Sequence, residues 1–125
     1  MKRLILVLAV MLAGCSTVKE WVPSFWDDNQ SNYIVQARVD VLQIDCSKPQ
    51  APQIALVARD LEVFMIYSDA KGSLQADVIR VVEPMKSTVD EWVKRGEGSK
   101  MYCQLKKDLL TQQGERASRV ILGRW

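Results

Sequence analysis

The sequence predicts an all-α protein, a small antiparallel bundle of about four helices. Three observations carry this expectation. Apolar residues recur at three- and four-residue spacing along most of the chain beyond Asn29. The breaks between these stripes are short and hold Pro or Gly. Only one segment offers a strand pattern, and a lone strand has no partner for its ladder. Short connections between amphipathic helices make neighbours antiparallel.

Asp27, Asp28 and Asn29 are good N-caps for a first helix running to about Cys46. Ile34, Ala37, Val41 and Ile44 fall on one helical face. Within 34–44, however, Val35, Ala37, Val39 and Val41 alternate with Gln36, Arg38 and Asp40, which is a strand period. Helix is preferred because every later segment is helical. Pro49 and Pro52 mark a loop. Ile54, Val57, Leu61, Phe64 and Met65 then form a stripe, closed by Lys71-Gly72 in the manner of a glycine C-cap. Ser73 is placed to cap a third helix carrying Val78, Val82, Met85, Val89 and Trp92, with Pro84 off the stripe and expected to kink it. Gly96-Glu97-Gly98-Ser99 is the next turn. The last helix presents Tyr102, Leu105, Leu109, Val120 and Ile121, with a polar middle at Gln112, Gln113 and Gly114.

Ahead of this body stands a different kind of segment. Lys2 and Arg3 precede an apolar run, Leu4 to Leu12, then Ala13, Gly14 and Cys15. A bilayer-crossing helix needs about 20 apolar residues, so the run is too short to span. A charged start, a brief apolar segment and small residues make the anatomy of a secretory signal. Leu12-Ala13-Gly14-Cys15 resembles the lipobox of bacterial lipoproteins, in match and in position. The resemblance implies cleavage between Gly14 and Cys15, diacylglycerol on the Cys15 sulfur and a further acyl chain, such as palmitate, on the new amino terminus. Ser16, where inner-membrane lipoproteins usually carry Asp, implies the periplasmic face of the outer membrane. A single acyl chain binds a bilayer only marginally, whereas two or three on one residue hold it stably. The expected division is a signal peptide over 1–14, a lipidated tether over 15–28 and a helical domain over 29–125.

Without Lys2 and Arg3 the formal charge of +2 falls to zero. No basic patch or nucleic-acid motif remains, so a nucleic-acid partner is not expected. Of the three cysteines, Cys46 and Cys103 are left after lipidation. In an oxidising compartment they are expected to pair as a disulfide closing a long loop, worth roughly 4 kcal/mol on chain-entropy grounds. An up-down-up-down order brings the end of helix one beside the start of helix four, where that bridge fits.

The chain has no histidine. That removes Ser-His and Cys-His nucleophiles, His-ligated metals and the commonest general base. Ser99-Lys100 is better read as a helix cap than as a dyad, since adjacent residues on a helix start diverge. Asp27/Asp28 and Asp90/Glu91 are carboxylate neighbours, whereas a glycosidase holds two carboxyls about 5–10 Å apart across a cleft. No catalytic residue, no metal site and no cofactor beyond the lipid on Cys15 is expected. Trp21, Phe25, Trp26 and Trp125 are candidate partner contacts; the tether aromatics can sit at the membrane interface, but folding back into a groove is preferred, because full burial of Phe and Trp contributes more than a partly wet contact.

The stretch VPSFWDDNQS resembles segments of small lipoproteins carried by marine tailed phages. That resemblance raises two roles: an outer-membrane spanin subunit in host lysis, and a surface-exclusion lipoprotein. Outer spanins are usually short and proline-rich, and four prolines in a chain with a full set of apolar stripes depart from that pattern. The function expected is a lipid-anchored, non-catalytic interaction or structural module that contacts the membrane and another envelope protein. A cell-wall hydrolase using a carboxylate pair is the catalytic alternative.

Overall fold

The computed structural model describes residues 26–72 and 74–124, and they form an all-α bundle of four helices. These are α1 (Asp28–Leu42), α2 (Gln50–Ala70), α3 (Ala76–Arg95) and α4 (Lys100–Leu122). Each helix packs on two neighbours, α1 on α2 and α4, and α3 on α2 and α4, so the path is a closed up-down-up-down ring. One stripe from each helix fills the middle. Ile34, Val41, Val57, Phe64, Val82, Met85, Trp92 and Leu110 are among the residues shut off from solvent.

The 34–44 ambiguity resolves as helix up to Leu42. Ala37 and Val41 belong to the core, while Val35 and Val39 face outward, which is why a strand-like alternation overlies the helical stripe. Asp27, with extended backbone, caps the helix by accepting a hydrogen bond from the Gln30 amide (2.9 Å). Helical structure therefore begins at Asp28, inside the segment expected to be tether. It ends at Leu42, four residues short of Cys46. There the Asp45 side chain accepts from the amide and hydroxyl of Ser47 (2.9 and 2.6 Å) and turns the chain.

Pro52 is a correction. It lies within the first turn of α2, not in a loop, because a proline there sacrifices only an amide that has no intrahelical partner. The remaining free amides at that end, Gln50 and Ala51, donate to the Glu97 carboxylate (2.8 Å each). Glu97 thus caps α2 from the turn between α3 and α4.

Gly72 takes a φ of +80°, the left-handed conformation expected after the C-cap Lys71. Gln75 occupies the N-cap of α3 without a side-chain capping bond, and Ser73, the expected cap, lies outside the described residues. All five stripe residues of α3 are buried, and the helix continues through the exposed Pro84.

The apolar face of α4 differs from expectation. Its buried residues are Cys103, Leu110, Gly114, Ala117, Ser118 and Ile121, whereas Leu105, Leu109 and Val120 are exposed. Small side chains let α4 approach closely: a Cβ built on Gly114 would stand 3.0 Å from the Arg38 Cγ and 3.4 Å from the Met85 Cε. Small side chains share this face with the large apolar Leu110 and Ile121.

Two buried glutamines tie the ends of the bundle. At one end Gln30 of α1 donates to the Ser68 hydroxyl (2.9 Å) and the Gln75 side-chain oxygen (2.7 Å), and accepts from Arg124 (2.9 Å). At the other, the Gln50 carbonyl accepts from the Trp92 indole and the Gly98 amide (3.2 Å each), and its amide donates to the Gly98 carbonyl (2.9 Å). The Cys46–Cys103 disulfide forms at that second end, with a Cα–Cα distance of 5.7 Å across a separation of 57 residues.

Candidate functional site

The expected site residues fall into three groups. Gly14, Cys15, Trp21, Phe25 and Trp125 lie outside the described residues. Cys46 and Cys103 are joined. Trp26 is 43% exposed and donates its indole N–H to Asp28 (2.6 Å), which lays it along the start of α1.

The carboxylate neighbours have structural partners. Asp27 accepts from the Gln30 amide, the Tyr67 hydroxyl (3.1 Å) and the Lys71 ammonium. Burial alone would raise its carboxyl, but Lys71, the Gln30 amide and Tyr67 together hold it below the usual aspartate value. Asp28 is engaged by Trp26. Asp90 pairs with Lys86 (2.8 Å) and Glu91 with Lys106 (3.2 Å), on the outer faces of α3 and α4. Ser99 accepts from the Tyr102 amide (3.0 Å) and caps α4, the role read from its position.

A different carboxylate pair lies where α1 meets α2. There Asn32, Tyr33 and Gln36 form one wall, and Leu56, Arg59, Asp60 and Val63 the other, of a groove of about 460 Å³. Tyr33 is braced by the edge of Tyr67, with ring centroids 5.7 Å apart, and the Tyr67 hydroxyl accepts from Asn29 (3.0 Å). Asp60 contacts the Asp40 carboxyl across the helix seam. Desolvation is the main force on Asp60; the hydrogen bond and the like charge of Asp40 add to it, Arg59 opposes them weakly, and the carboxyl is pushed up to about 7.

This arrangement can hold a proton between two acids, and the groove offers an aromatic ring, two amides and a guanidinium to a ligand. Asp40 and Asp60 touch, rather than standing apart as a glycosidase requires. Sequence reading missed the pair because its members are 20 positions apart on separate helices. The only local signal is that each precedes a core residue, Val41 and Leu61.

Among the described residues no group of three or more metal-ligating side chains converges, and no helix is long and apolar enough to cross a membrane. No protein-family model matches the sequence, and comparison with curated proteins and with solved structures gives no match either.

Proposed function

We propose that this protein is a lipid-tethered helical module at the periplasmic face of the outer membrane, and that it binds another envelope component without catalysing a reaction. The observation that carries the reading is Leu12-Ala13-Gly14-Cys15 behind a short apolar run, joined by a brief tether to a disulfide-closed bundle. The bridge adds support, because structural disulfides persist in oxidising compartments.

The tether sets the working range. Eleven residue steps from Cys15 to Trp26, at roughly 3.3–3.6 Å each, reach at most about 40 Å. Anchoring therefore concentrates the bundle near any partner fixed in the same face of the envelope. Trp26, half out of the bundle at the tether end, is the described residue best placed for that partner; Trp21, Phe25 and Trp125 complete the proposed contact set.

Photo-crosslinking in intact cells tests this. A crosslinker at position 26 is expected to capture a defined envelope protein, whereas one at Met101, exposed at the opposite end of the bundle, captures far less. Trp26→Ala is expected to weaken the capture while leaving helical circular dichroism unchanged. Recovery of no partner, together with peptidoglycan turnover by the purified protein, would overturn the reading in favour of a hydrolase. The resemblance of VPSFWDDNQS to phage lipoproteins supports one further role, the spanin, and failed host lysis on deletion from a phage genome would select it.

A further inference from the structure

We propose that the seam between α1 and α2 is a proton-operated latch, closed while Asp40 and Asp60 share a proton and loosened when both carboxyls ionise. It stands independently of the function proposed above. Its basis is geometric. Asp60 Oδ2 is shut off from solvent and receives no hydrogen bond from the other described side chains or backbone. A buried oxygen in that state requires a donor, and the acid proton shared with the contacting Asp40 is the one within reach. Asp40 also accepts from the Gln36 side-chain amide (3.3 Å).

Among the described residues, the cations nearest the pair are weakly placed or already engaged once both ionise. Arg59 lines the same groove and offsets the repulsion only weakly. On α1, Arg38 is turned away to the Ser118 hydroxyl (2.8 Å). From α4, Lys107 is bound to the Ile44 carbonyl (2.8 Å). On the far side of α2, Glu62 and Asp90 hold Lys86 of α3. Two adjacent anions beside an open groove of about 460 Å³ repel each other across the seam between α1 and α2.

The sign follows from linkage. The Asp60 carboxyl, at about 7 in the folded protein, lies above the ordinary aspartate value of roughly 3.9. Folded protein therefore holds this proton more tightly than unfolded chain. The stabilisation is fully present below pH ~4, and it is lost as pH rises through about 7.

The test is a pH series on the purified protein as isolated from the producing cells. The carboxyl carbon resonance of Asp60 is expected to titrate near neutrality, and the melting temperature to fall between pH 5 and pH 8. Asp60→Asn, whose amide donates to Asp40 permanently, is expected to flatten that slope. Amide exchange, corrected for its intrinsic pH dependence, is expected to quicken about tenfold at 33–40 and 56–63 relative to the α3–α4 seam between pH 6 and pH 8. An Asp60 resonance titrating at the ordinary aspartate value, an unchanged slope in the variant, or equal exchange at both seams would overturn the proposal. Should the variant fail to fold, the wild-type resonance and exchange decide alone.

Discussion

Cys46→Ala/Cys103→Ala is expected to lose about 4 kcal/mol of stability and on the order of 20 °C in melting temperature. The bridge spans 57 residues and ties the turn after α1 to the first turn of α4, so its removal frees a large loop in the unfolded chain. The double variant avoids leaving a lone thiol, and Cys103 is wholly buried, so a small cavity adds to the loss. A domain of this size has only about 5–15 kcal/mol in total, which makes the bridge a large share. Urea unfolding measures it. A loss below 1 kcal/mol would mean that the Gln50 and Glu97 contacts at the same end hold the loops without the bridge.

Gln50→Ala is the second large effect, expected near 3 kcal/mol. The side chain is 3% exposed and meets three groups of the α3–α4 half: the Trp92 indole, the Gly98 amide and the Gly98 carbonyl. Truncation strands all three, and an unsatisfied buried polar group costs about 1–3 kcal/mol. Water can enter the space left behind and recover part of this, which is why the expected total is below the simple sum. Gln50→Glu should be no rescue. It cannot donate to the Gly98 carbonyl, and it brings a second carboxyl toward Glu97, which already holds the Gln50 and Ala51 amides. A urea midpoint for Gln50→Ala equal to that of the wild type would show that this clamp contributes nothing.

Both effects act at contacts that local sequence patterns express unevenly. The stripes of α2 and α3 are legible because large apolar side chains mark them, Ile54 to Phe64 and Val78 to Trp92. The face of α4 is not, since Cys103, Gly114 and Ala117 are buried while the larger Leu105 and Leu109 are exposed. Close helix approach rewards small volume there, a three-dimensional demand that a hydropathy period does not carry. Caps made by neighbours, Asp27 for α1 and Ser99 for α4, can be read locally. The cap that Glu97 supplies to α2 crosses 47 positions, and the Asp40–Asp60 contact joins two helices, so neither leaves a local trace. The disulfide was legible for a different reason: once Cys15 is assigned to lipid, only one pair remains.

Everything proposed about place and role depends on Cys15. Detergent phase separation of cells producing the full chain, followed by mass analysis of the N-terminal peptide, tests it most directly. The account predicts that the protein enters the detergent phase, begins at residue 15 and carries diacylglycerol and an acyl chain there, while Cys15→Ser leaves an uncleaved or water-soluble product. Wild-type protein in the aqueous phase, with an unmodified Cys15, would contradict it.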